Sequence, residues 1–259
     1  MEKLTSANCV VHIDAGELVS FKMGSYEIIH QKGNPGWRNS DTEMFPIIGP
    51  TNEAGFMIET QKGTAVQDQH GLLRELAYEV VDASESKVVY LKTYRAGTEI
   101  KNSKFPAKSS AAFLTWPYDF SFEKTYELKG TNLEITFTIA GEEGMPFMLG
   151  YHPAFYLHSD KPIIDTGLKK ISLEDVLAVG SRALEVKDCS SITLNDKKGF
   201  TIKTRGFGSF MLWTEVPNMV CIEPITFYPY AVIQQRLDTG FQFLSKEPKV
   251  CSVTIIPED

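Results

Sequence analysis

The stretch Ser121-Phe122-Glu123-Lys124-Thr125-Tyr126-Glu127-Leu128, followed by Lys129-Gly130-Thr131-Asn132 and then Leu133-Glu134-Ile135-Thr136-Phe137-Thr138-Ile139, decides the fold class. Apolar and polar residues alternate along both runs, the period-two pattern of a strand with one buried face. Aromatic and β-branched residues fill most of the apolar positions, as strands favour, and the glycine-containing linker is a short turn.

The same signal recurs from end to end. Glu17-Leu18-Val19-Ser20-Phe21-Lys22-Met23, a Gly24-Ser25 turn and Tyr26-Glu27-Ile28-Ile29 read as a hairpin with one buried face. Val88-Val89-Tyr90-Leu91, Phe200-Thr201-Ile202-Lys203, Phe210-Met211-Leu212-Trp213, Met219-Val220-Cys221-Ile222 and Val250-Cys251-Ser252-Val253-Thr254-Ile255-Ile256 continue the series. Helical signals are few: Leu173-Glu174-Asp175-Val176-Leu177-Ala178 and Ala231-Val232-Ile233-Gln234-Gln235-Arg236, neither with strong caps. The expectation is an all-β fold, a large antiparallel β-sandwich with very little helix. Nothing marks a domain boundary, so residues 1–259 read as one domain. Residues 33–69 are the least strand-like part, rich in Gly, Pro, Asn and charges. A long irregular segment is functional or disordered, and the aromatics in this one favour function.

Composition narrows the partners. With 42% hydrophobic and 23% charged residues the chain is an ordinary globular one. Its net charge of −7 lacks the basic footprint that nucleic acid or an anionic membrane requires. Cys9, Cys189, Cys221 and Cys251 are too far apart in sequence for a CxxC zinc or redox motif. The opening MEKLTSANCVVHIDAG lacks the apolar segment of a signal peptide, and no apolar run of about 18 residues is present to span a membrane. The expectation is a reduced, cytoplasmic protein.

Two segments break their local rules. In Gly150-Tyr151-His152-Pro153-Ala154-Phe155-Tyr156-Leu157, the proline removes a ladder donor and drives His152 extended. In Val220-Cys221-Ile222-Glu223-Pro224-Ile225, a carboxylate follows an apolar run and again precedes a proline. Buried there, Glu223 needs donors or a ligand; the plain alternative is a strand-end glutamate in water. An acid and a base facing each other across a cleft suit proton transfer at two oxygens, and a nearby carboxylate favours the imidazolium form of His152. His70, in Gln69-His70-Gly71-Leu72-Leu73-Arg74-Glu75, is set apart by the glycine after it, which permits a close backbone approach or an unusual dihedral. Arg74 shares its face only if the segment is helical. His12 and His30 read as exposed or core-satisfied rings, and His158 as a loop residue.

Taken in order, these segments resemble the aldose 1-epimerase (galactose mutarotase-like) family. Ala15-Gly16-Glu17-Leu18-Val19-Ser20-Phe21 resembles its first hairpin. Asn34-Pro35-Gly36-Trp37 with Met44-Phe45-Pro46-Ile47-Ile48-Gly49 is similar to its loop ending in an FPxxG turn. His70-Gly71-Leu72-Leu73-Arg74 resembles HGFxR, Gly150–Phe155 resembles GxHPxF, and Leu212-Trp213 with Cys221-Ile222-Glu223-Pro224 is similar to the late LW and EP segments. The likeness runs from about residue 15 to 256.

The resemblance implies a supersandwich with an open cleft, no metal and no cofactor, and a small sugar as partner. It assigns Glu223 as the base at the anomeric hydroxyl and His152 as the acid at the ring oxygen. His70 matches a second histidine that binds the sugar near its reacting end, and Arg74 a donor to hydroxyls. Pro50 stands where a basic residue often follows the FPxxG turn, and Ile225 where a tryptophan commonly follows EP. These departures touch the sugar-binding side, where Trp37 and Arg38 are candidate replacements and Asp175 a candidate for the acid that fixes distal hydroxyls. A hexose-6-phosphate mutarotase, using Arg38, Arg74 or lysines, a non-catalytic carbohydrate-binding sandwich, and a sensor or regulatory subunit that keeps the fold are the rival readings.

Overall fold

The computed structural model describes residues 1–258. Its frame is a nine-stranded antiparallel sheet in the order Lys170–Ser172, Ile163–Asp165, Ser191–Asn195, Phe200–Arg205, Lys249–Pro257, Asn132–Gly141, Phe120–Lys129, Lys87–Tyr94, Glu79–Ala83. At its centre, Phe120–Lys129 pairs with Asn132–Gly141 over ten rungs around the expected turn. Burial alternates along both strands, with Phe122, Tyr126, Leu128, Leu133, Ile135, Phe137 and Ile139 inside. Lys124 lies on the same inward face and is fully buried.

A second sheet runs Leu184–Val186, Ser209–Trp213, Met219–Ile225, Gly150–Tyr151, Glu43–Met44, with Ala154–Tyr156 also paired to Met219–Ile225. The two sheets meet through aromatic contacts: Phe137 against Tyr151 at 5.2 Å between ring centroids, Phe122 against Phe45 at 5.3 Å and Phe200 against Phe155 at 4.8 Å. The result is an all-β sandwich. A four-stranded N-terminal meander, Glu2–Ser6 to Tyr26–Glu27, contains the expected first hairpin.

The α-helix Leu173–Leu177 forms where the sequence hinted at one, and contrary to expectation it is well capped. Ser172 accepts from the Asp175 N–H while the Asp175 carboxylate accepts from the Ser172 N–H. The second helical hint resolves into 3₁₀ turns at Pro229–Ala231 and Gln234–Gly240. Residues 33–69 are more regular than expected: they supply the buried edge strand Glu43–Met44 and the ribbon Met57–Thr60/Gly63–Val66.

A buried ionic cluster sits between the sheets. Lys124 donates to Asp41 at 2.8 Å and also pairs with Glu43, while Lys92 approaches Glu43 at 3.9 Å and donates to the Leu73 carbonyl. Tyr126 and Tyr151 donate to the same Asp41 oxygen. The fixed charges of two lysines and two carboxylates cancel, the condition under which such a burial is tolerated.

Candidate active site

Strand alternation builds the floor of the site. Along Met219–Ile225, Cys221 and Glu223 project to the same face. Gly150 pairs with Ile225 and Ala154 with Cys221, and the same register continued between them sets His152 directly opposite Glu223. His152 exchanges both backbone hydrogen bonds with Thr42 on its other flank, donating at 2.8 Å and accepting at 3.2 Å. Toward Glu223 it therefore presents a rung without backbone bonds, where facing side chains come closest. Glu223 lies within its strand rather than at a strand end, and it is buried.

The side chains meet. His152 Nε2 stands 3.4 Å from Glu223 Oε1. Trp37 stacks on the His152 ring at 4.4 Å, and His70 and Trp213 lie edge-on to it at 5.6 and 6.0 Å. His30 is buried, as the core reading expects, and its Nε2–H donates to the Trp37 carbonyl at 2.7 Å, fixing the stacked indole from behind. The group opens on a cavity of about 330 Å³ that His70, Arg74, His152 and Glu223 line together. That volume lies in the range of small-ligand sites.

The His70 segment needs its glycine. His70 and Gly71 both have φ of +73°, and a Cβ on Gly71 would stand 2.2 Å from the Phe45 carbonyl oxygen. The approach allows Leu73 N–H to donate to that same carbonyl, which starts the 3₁₀ turn Leu72–Glu75. Arg74 sits in this turn, so one short segment supplies two cavity residues. His70 Nδ1 lies 2.8 Å from the Ile48 carbonyl. A carbonyl only accepts, so Nδ1 carries the proton and Nε2 keeps its lone pair.

Electrostatics correct one expectation. Burial, aided by the Arg74 charge, lowers the His152 pKa to about 3 instead of favouring imidazolium. Burial also pushes the Glu223 carboxyl well above its ordinary range, and with His152 and Arg74 it holds His70 well below the usual imidazole value. Burial in this site therefore favours a carboxylic acid beside a neutral imidazole.

Trp37 walls the cavity, and Arg38 lines an adjoining compartment of about 600 Å³ that shares Trp37 and Trp213 with it. Pro50 lies on the cavity wall. Asp175 is spent on its helix cap and lines neither compartment. Lys108 and Glu215, which the sequence reading did not single out, border both. Trp213 was legible: it alternates with Met211 on the strand beside Glu223.

The aldose 1-epimerase family model matches residues 58–215, more than half of the chain. The chain belongs to the aldose 1-epimerase family. His70, Arg74 and His152 fall inside the matched span, and Glu223 lies just beyond it. Among solved structures, this family member is similar to a galactose mutarotase related enzyme from Lactobacillus acidophilus, at 17% identity over 100% of this chain and 97% of that one, TM-score 0.79. A galactose mutarotase-like protein from Lactobacillus casei ATCC 334 shares 20% identity over 100% of both chains, TM-score 0.80. One from Clostridium acetobutylicum shares 15% over 99% and 94%, TM-score 0.69. These likenesses establish the galactose mutarotase-like fold. No curated protein matches the chain.

Proposed function

We propose that the protein is a mutarotase that interconverts the α and β anomers of a free aldose. The observation that carries the reading is the facing pair His152–Glu223 at the floor of a sugar-sized cavity, with His70 and Arg74 beside it. Glu223 takes the proton of the anomeric hydroxyl while His152 protonates the ring oxygen, and the C1–O5 bond opens. The aldehyde rotates about C1–C2, and closure with the roles reversed gives the other anomer.

The pair passes through two states in each cycle. The cyclic sugar reacts with carboxylate and imidazolium; the open-chain aldehyde faces carboxylic acid and neutral imidazole. Burial of the two groups by the protein alone favours the second state. The anomeric hydroxyl donating to Glu223 and the ring oxygen accepting from His152 offset that preference when a cyclic sugar enters. His70, through its free Nε2, and Arg74 hold the hydroxyls.

A 6-phosphorylated aldose is the second reading, favoured by Arg74 and Lys108 in the cavity and Arg38 next to it. Polarimetry of freshly dissolved α-D-glucose, α-D-galactose and a hexose 6-phosphate tests both. Acceleration by the wild type and none by Glu223→Gln supports the mechanism, and the fastest sugar identifies the class. Acceleration of none of them removes it in favour of a non-catalytic carbohydrate-binding role.

A further inference from the structure

We propose that His152, Cys221 and Glu223 form a binding site for one thiophilic divalent cation of the zinc type. Their donor atoms lie within 4.8 Å of one another, and all three residues are buried. Imidazole, thiolate and carboxylate are the ligands zinc takes, and three protein ligands with an open fourth position are a common arrangement. Metal–ligand bonds of about 2.1 Å in a tetrahedron set nitrogen and oxygen ligands about 3.4 Å apart. His152 Nε2 and Glu223 Oε1 already stand at 3.4 Å, which is long for a hydrogen bond between them.

The cysteine makes this more than an acid–base pair. Cys221 precedes Glu223 by two residues on one strand, so alternation brings both to the same face without any loop having to move. Cys9, Cys189 and Cys251 each direct their thiol at a protein carbonyl. The buried Cys221 thiol has no such partner among the described residues. His152 and Glu223 line the cavity, which leaves room for water at the fourth position. On binding, the thiol and the carboxylic acid lose their protons to solvent, and the imidazole donates its lone pair.

Such an ion occupies both members of the proton-transferring pair, and so acts as a reversible inhibitor. Inhibition rests on the mutarotase reading; binding does not.

The test is titration of the metal-free full chain with Co²⁺, whose thiolate complexes absorb in the near ultraviolet. The expected result is a charge-transfer band that saturates at one ion per chain and is displaced by Zn²⁺, with about two protons released. The band disappears in both Cys221→Ser and Cys221→Ala, two variants chosen so that a folding failure in one leaves the other, and survives in Cys189→Ser. No band, or a band that survives both Cys221 variants, overturns the proposal. Polarimetry with Zn²⁺ adds a second reading: the inhibiting concentration rises at least about tenfold in Cys221→Ala. A chain that shows the band but turns over no sugar keeps the metal site and loses the mutarotase; turnover without the band does the reverse.

Discussion

His152 and Glu223 occupy one rung of the second sheet, Nε2 and Oε1 3.4 Å apart, in the register that pairs Gly150 with Ile225 and Ala154 with Cys221. His152 turns its backbone bonds toward Thr42, so the contact with Glu223 is made by side chains alone. Glu223→Gln keeps the shape of the carboxyl and removes its proton chemistry. Mutarotation should fall by about 10²- to 10⁴-fold, with the unfolding midpoint at neutral pH unchanged or raised, because the amide carries no charge to desolvate. Polarimetry and urea unfolding on one sample check this; a rate within threefold (roughly) of wild type would sink the mechanism.

The same burial sets a pH dependence of stability. His152 has its folded pKa lowered to about 3 from an ordinary value of 6.5. Between those values the unfolded chain binds the proton and the folded chain does not, so stability rises with pH across this window and is lost on acidification. Glu223 has the opposite sign: its raised pKa makes the folded chain bind the extra proton, so its contribution is present below the ordinary carboxylate range and fades as pH rises. His152→Asn should therefore lose less stability between pH 7 and pH 4 than wild type. Urea midpoints at both pH values decide it, and an equally steep loss in the variant refutes the assignment.

Gly71 tests how the His70 segment is held. At Gly130, φ is +63° and an added Cβ meets nothing within 4 Å; at Gly71, φ is +73° and the Cβ meets the Phe45 carbonyl at 2.2 Å. Gly130→Ala should cost the left-handed backbone term alone, about 1 kcal/mol. Gly71→Ala should cost distinctly more, and it should raise KM by displacing His70. Equal losses in the two variants would show that the segment relaxes both the Phe45 contact and the Gly71 backbone, whose φ of +73° and ψ of 174° only glycine readily adopts.

Much of this architecture was legible because it is local. Period-two alternation over residues 121–139 placed Phe122, Tyr126 and Phe137 inside, and the prolines after His152 and Glu223 marked both as unusual. What alternation could not supply was the company these residues keep. Lys124 falls on the inward face by parity, yet its partner Asp41 lies 83 positions away in the segment that reads as irregular. Lys108 and Glu215 belong to polar loops with no periodic signal, and only tertiary packing brings them to the cavity. The imidazolium expected of His152 failed for a related reason: proximity of a carboxylate was readable, but the depth of burial that outweighs it was not. The Ser172–Asp175 cap is readable as a spacing, a serine three residues before an acidic side chain at the start of an apolar run.

The Lys124–Asp41 link also carries the last prediction. Asp41 and Glu43 flank Thr42, whose backbone holds His152, so the ionic cluster supports the strand from which the His152 imidazole is hung. Lys124→Met fits the volume but leaves two buried carboxylates with only Lys92 near one of them. Breaking a buried pair in this way costs about 3–5 kcal/mol. Lys129, which pairs with Glu127 and Glu134 at the surface, is the control: Lys129→Ala should cost about 1 kcal/mol or less. Urea unfolding of the two variants separates the cases. Mutarotation should fall in Lys124→Met even under conditions where the variant is fully folded, since Thr42 no longer fixes His152 opposite Glu223. A stability loss as small as that of Lys129→Ala, with full activity, would mean that the strand holds its place without the buried charges.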